Sequence, residues 1–116
     1  MDVVDRLREI CLALPEAEEK PFGGHTAPAF RIRDKMFVML REDGTELWLK
    51  GAPGAQEALI AESPDVYFRP PYVGPKGWVG IRLDADLDWD ELAELVEDSY
   101  RLIAPKRLVA RLDADD

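Results

Sequence analysis

Three strand-like runs, "AFRIR", "MFVML" and "ELWLK", follow one another between Ala29 and Lys50 with very little chain between them. Asp34-Lys35 supplies a first turn, and "REDGT", with Asp43-Gly44, a second. Parallel neighbours need a crossover of about a dozen residues or more, so connections this short force an antiparallel meander. The first and third runs alternate polar with apolar positions, whereas the second is apolar on both faces.

What flanks the meander decides the class. Asp2 caps a helix over residues 2–14, with Val4, Leu7, Cys11 and Leu14 on one face and Pro15 ending it. The segment "PEAEEKPFGGHTAP" has prolines, paired glycines and no period, and is expected to be a loop. After the meander, Pro53 opens a short helix in which Ala55, Ala58 and Leu59 share a side through Ala61. "VYF" at 66–68 and "WVGIRL" at 78–83 read as two more strands, joined by a turn rich in proline and glycine. Asp88 then caps a strong helix, with Glu91 as the reciprocal half of a capping box and Trp89, Leu92, Val96, Tyr100 and Ile103 on one stripe. Pro105 breaks that helix, and "KRLVARL" adds a final helical turn or two.

The order is α-β(3)-α-β(2)-α. Strands grouped in this way indicate an α+β domain with two layers, a five-stranded antiparallel sheet and helices on one face. At 116 residues the chain has room for one compact domain, residues 1–116, and not for two. With 47% hydrophobic and 34% charged residues, it has enough apolar material to offset the entropy of ordering. No apolar run approaches the roughly 20 residues of a membrane span, and no basic leader opens the chain, so a cytoplasmic monomer without membrane contact is expected. The lone cysteine, Cys11, falls on the apolar face of the first helix, where a buried reduced thiol is expected.

The net charge of -9 disfavours a phosphate-rich partner, because affinity for nucleic acid comes mainly from neutralising its backbone. The charge is uneven, however. Residues 1–19 hold 2 basic and 6 acidic residues, residues 20–80 hold 8 and 7, and residues 81–116 hold 5 and 11. The cations therefore gather in the strand region.

Alternation says which of them face outward. Burying Phe30 and Ile32 turns out Arg31 and Arg33; burying Leu47 and Leu49 turns out Trp48 and Lys50; burying Val79, Ile81 and Leu83 turns out Trp78 and Arg82. In the second strand, burying Met36, Val38 and Leu40 would add Phe37, Met39 and Arg41. The face away from the helices thus collects arginine, lysine and tryptophan, the materials of recognition surfaces. The competing expectation is that the arginines lie over the indoles and merely cover the sheet. Tyr72 to Gly77 would form a hairpin loop at the edge of this face, with Lys76 near its tip.

Catalytic patterns are sparse. There is no Walker loop, dinucleotide fingerprint, nucleophile elbow or zinc-binding histidine pair. His25, the lone histidine, follows two glycines and is expected to be solvated or to cap a turn. The run from Asp84 to Glu91 resembles a calcium loop only until Trp89 stands where glycine is needed and Leu95 where glutamate is needed, so helix capping is the reading. Ser99 has no histidine near it in sequence and Tyr100 reads as core. Neither an enzyme, nor a cofactor, nor a metal site is expected.

Four stretches, "LPEAEEKPFGGHTAPAFRIRDKMF", "LWLK", "GPKGWVGIRLD" and "DSYRLIAPKRL", in this order and spacing, resemble the small bacterial MmcQ/YjbR-like proteins over nearly the whole chain. The resemblance implies the same α-β(3)-α-β(2)-α fold, similar to type III secretion chaperones. It also implies a DNA-binding role with two hairpin loops as wings. The matching positions are the Asp34-Lys35 turn with Arg31 and Arg33, and the Lys76 loop with Trp78. The candidate site is therefore Arg31, Arg33, Lys35, Trp48, Lys50, Lys76, Trp78 and Arg82, with DNA as partner. The alternative is a non-enzymatic interaction module that takes a protein segment or a small anionic ligand on the same face.

Overall fold

The computed structural model describes residues 2–20, 28–41 and 44–114. Among them the elements run α1 (Val3–Leu12), β1 (Glu18–Glu19), β2 (Ala29–Ile32), β3 (Lys35–Leu40), β4 (Glu46–Leu49), α2 (Ala55–Glu62), β5 (Tyr67–Phe68), β6 (Val79–Arg82), α3 (Trp89–Ile103) and α4 (Lys106–Ala114). The strands form one antiparallel sheet in the order β1-β2-β3-β4-β6-β5. The α+β class holds, with a sixth strand beyond the five expected. Glu18 and Glu19 pair with Arg31 and Phe30 at the sheet edge; two residues are too few to leave a period in the sequence.

Both long helices begin where an aspartate accepts orphan backbone N–H groups. Asp2 Oδ1 takes the Asp5 N–H at 2.8 Å, and Asp88 Oδ1 takes those of Asp90 and Glu91 at 3.1 and 3.2 Å. Leu7 and Cys11 of α1, Leu92, Val96 and Tyr100 of α3, and Leu108 of α4 pack into one core with Phe30, Ile32, Val38, Leu40, Leu47, Leu49, Val79 and Ile81 of the sheet. α4 spans nine residues, longer than the expected turn or two, because burying Leu108 secures it.

One irregularity reverses part of the expected pattern. Phe30 pairs with Val38 and Arg31 with Met36, so Phe37 is an extra residue in β3. The bulge lets Phe37 and Val38 both enter the core, where Phe37 meets Tyr100 edge to face at 6.0 Å. Neither of the two parities the sequence left open is followed throughout: Phe37 and Val38 are both inside, and Met36 lies outside that core.

The register also defines two ends of the sheet. Lys35, Leu49, Val79 and Phe68 lie toward one end, and Leu40, Glu46, Arg82 and Tyr67 toward the other. The β2–β3 turn and the β5–β6 loop, residues 69–77, both leave from the first, here called the turn end. α3 starts at the opposite end, since Ser99, near its C-terminus, donates its hydroxyl to the carbonyl of Lys50. α1 runs alongside in the same direction: Arg6 stacks on Trp89 at 4.3 Å near the helix starts, and the Tyr100 hydroxyl reaches Pro15 O at 2.8 Å near their ends.

Candidate functional site

The turn between β2 and β3 is tighter than expected. Ile32 pairs with Lys35, so Arg33 and Asp34 are its central residues, not Asp34 and Lys35. Both take positive φ, 53° and 68°, the handedness a two-residue hairpin needs, and one that residues with a Cβ adopt at a cost. Arg33 is thus a turn residue, not one that points off a strand face. It is exposed and pairs with Glu16 at 3.3 Å. Lys35 is exposed as well.

The second element is the loop 69–77, which buried bonds hold firmly. Gln56 of α2, only 4% exposed, donates both to Gly74 O at 2.9 Å and to Trp78 O at 2.7 Å. Lys50 Nζ donates to Lys76 O at 2.9 Å. Inside the loop, Gly74 N–H reaches Pro70 O and Gly77 N–H reaches Gly74 O, each at 3.0 Å, around a short 3-10 turn at Gly74–Lys76. The stem of Arg69 lies so close over Gly74 that a Cβ there would meet its Cγ at 2.7 Å. The loop is a fixed platform, with Arg69, Tyr72 and Lys76 exposed on it.

The outer sheet face departs from expectation. A transverse row of Ala29, Met39, Trp48, Gly80 and Phe68 crosses it by register. The Phe68 ring lies over Gly80, where an added Cβ would come within 2.4 Å of ring carbons. Arg82 stacks on that ring at 4.8 Å and donates to Pro64 O at 3.1 Å. Arg41 covers Trp48 at 5.0 Å, and the indole N–H donates to Glu46 Oε1 at 3.1 Å. Trp48 is consequently 3% exposed, and Trp78 is 7% exposed. The expectation that the two indoles offer open stacking planes is corrected: both lie outside the main core, and both are covered.

Of the eight candidate residues, Arg33, Lys35 and Lys76 are exposed, Arg31, Lys50 and Arg82 are half-buried, and Trp48 and Trp78 are buried. Arg31 donates from Nη1 to Asp34 O at 3.2 Å, while its Nε is buried without a partner among the described residues. The fold gathers all of them except Trp48 and Arg82 near the turn end. Sequence reading missed Arg69 and Tyr72 as site residues; the loop's density of proline and glycine was the available signal, since it marks a backbone held in unusual conformations.

Charge is polarised along the strand axis. Asp2 and Asp5 sit with Asp84, Asp86, Asp88, Asp90 and Glu91 at the far end, whereas Arg33, Lys35, Arg69 and Lys76 occupy the turn end. Two of the acids near those cations are already engaged: Glu16 with Arg33, and Asp34 with Lys20 at 3.2 Å. At the acidic end a cavity of about 90 Å3 is lined by residues that include Ser63, Tyr67, Asp86, Asp88 and Glu91. Tyr67 donates its hydroxyl to Glu91 there, and burial together with that carboxylate pushes its pKa up. Glu91 is thus occupied by a tyrosine in addition to opening the helix. No group of three or more metal-ligating side chains converges among the described residues. His25 lies outside the described residues. Ser99, buried and bonded to a backbone carbonyl, is structural.

The YjbR family model matches residues 12–102. The chain is 28% identical over 101 residues to the uncharacterised protein YjbR of Escherichia coli strain K12 and equally to that of strain O157:H7, in each case covering 84% of both chains. The crystal structure of Deinococcus radiodurans protein DR2400, with a DUF419 domain, superposes at a TM-score of 0.78 and 28% identity over 88% of this chain and 78% of that one.

Proposed function

The chain belongs to the YjbR family, and on that premise we propose that it is a non-enzymatic module that binds nucleic acid weakly through its turn end. The observation that carries this reading is the meeting of both hairpin turns at one end of the sheet, with Arg33, Lys35, Arg69 and Lys76 exposed there and Asp2, Asp5 and the acidic run from Asp84 to Glu91 at the other. Such a dipolar molecule attracts a polyanion to one end despite its net charge of -9. Affinity is modest, because few phosphates are neutralised.

Backbone strain supports the same end. Every described non-glycine residue with positive φ, namely Glu16, Arg33, Asp34 and Tyr72, lies there. Strained residues of this kind cost on the order of 1–3 kcal/mol each and gather at functional sites. A protein segment laid along the outer face is less well supported, since Arg41, Phe68 and Arg82 already cover its aromatic positions. No described helix is long and apolar enough to cross a membrane.

Fluorescence anisotropy with a labelled 20-base-pair duplex at several salt concentrations tests the reading. Binding at low salt should weaken steeply with added salt and disappear in the Arg33→Glu, Lys76→Glu double variant. A wild-type protein that leaves both this duplex and its separated strands free at low salt removes the proposal.

A further inference from the structure

Tyr72 is 89% exposed, the most exposed large apolar side chain among the described residues. Its backbone has φ 65°, and the Val73 N–H reaches across it to Pro71 O at 2.7 Å. A positive φ bridged by an i to i+2 bond is the rare, strained form of γ-turn. Nothing in its own packing accounts for a tyrosine here, since a ring in solvent gives back nothing for the strain, and glycine would occupy the position freely. The platform beneath leaves no slack: Pro70 is buried, Gln56 grips Gly74 and Trp78, and Lys50 holds Lys76.

We propose that Tyr72 is a stacking residue that makes the turn end select unpaired bases, so that the polyanion it takes is single-stranded nucleic acid. This deepens the reading of the turn end as a nucleic-acid site and rests on it. In the loop sequence Tyr72 falls between Arg69, whose stem is folded onto Gly74, and Lys76, so one exposed aromatic residue has an exposed cation on either side along the chain. A base stacked on the ring with its phosphates at the cations satisfies both features, and any base can do so because each has a π face. In a duplex those faces are already occupied by neighbouring bases. A protein partner fits less well: the other exposed large apolar residues, Leu12 and Leu102, belong to α1 and α3, so no apolar patch surrounds the ring.

The test compares anisotropy titrations of a labelled dT15 oligomer and a 15-base-pair duplex with the full chain at low salt. Wild type should bind the oligomer more tightly than the duplex. Tyr72→Ala should lose about tenfold toward dT15, the order expected for one stacked base, while Tyr72→Trp should retain affinity and show quenching of the new indole on binding. Equal affinity of wild type and Tyr72→Ala for dT15, with the salt-dependent duplex binding intact, overturns this inference and leaves the broader reading standing. Binding of neither oligonucleotide overturns both. A polyglutamate peptide that displaces dT15 at equal charge, and whose binding Tyr72→Ala weakens equally, would assign the loop to acidic proteins instead.

Discussion

Replacing Gln56 with leucine probes whether the loop is a rigid platform. The amide is buried and makes two bonds, to Gly74 O at 2.9 Å and Trp78 O at 2.7 Å. Each such bond contributes about 1 kcal/mol net, and a buried carbonyl left without a donor costs about 1–3 kcal/mol. Gly74 O keeps its bond from the Gly77 N–H, so the full penalty falls mainly on Trp78 O. Leucine preserves most of the volume, so little cavity term is added. The sum is about 2–4 kcal/mol, equivalent to a fall in melting temperature of roughly 10 °C for a domain of this size. Urea unfolding followed by tryptophan fluorescence gives the value, and amide exchange should speed up across residues 70–78. A loss below about 1 kcal/mol, with exchange in the loop unchanged, would refute the view that Gln56 holds it.

Three further outcomes follow from the geometry. Gly80→Ala should destabilise by about 1–3 kcal/mol in urea melts, because the new Cβ meets the Phe68 ring at 2.4 Å and Arg82 packs on that ring; a neutral result would mean that the ring swings away freely. Tyr72→Gly should leave stability unchanged or raise it by up to about 1 kcal/mol, since relief of the positive φ outweighs the added chain entropy of glycine; a clear loss would show that the ring packs against the fold. Burial pushes the Cys11 thiol up from 9.0 to about 12, so it should resist alkylation at pH 8 until urea unfolds the chain. The sign of its linkage is alkaline destabilisation: the stabilisation is present below pH 9 and is lost as pH rises toward 12, because only the unfolded thiol ionises in that window. Cys11→Ala should flatten that decline, whatever it costs at neutral pH.

The sequence legibility of this molecule divides by period and length. The meander, α1 and α3 were readable because short turns and strong apolar stripes allow few alternatives. β1 was not, since Glu18 and Glu19 gain strand geometry only from pairing with β2. The Phe37 bulge was hidden because β3 is apolar at every position from Met36 to Leu40, so its pattern is equally consistent with either parity. At the site, the cations of the turns were legible by type. That arginines would cover the indoles was one of two readings the sequence left open, and which arginine covers Trp48 was not legible, because Arg41 is brought to it only by the pairing of β3 with β4. Tyr72 was placed in the loop but not among the site residues, because strain and exposure are properties of the folded loop.

The most direct measurement is a two-dimensional 15N–1H NMR titration of the full chain with dT15 at low salt. Shifts should concentrate at residues 33–35 and 69–77, where the exposed cations and Tyr72 meet, and should collapse as salt is added. Shifts centred on the Asp84–Glu91 end or on Met39, Trp48 and Gly80 of the sheet face, or an unperturbed spectrum, would contradict the assignment of the turn end as the binding site.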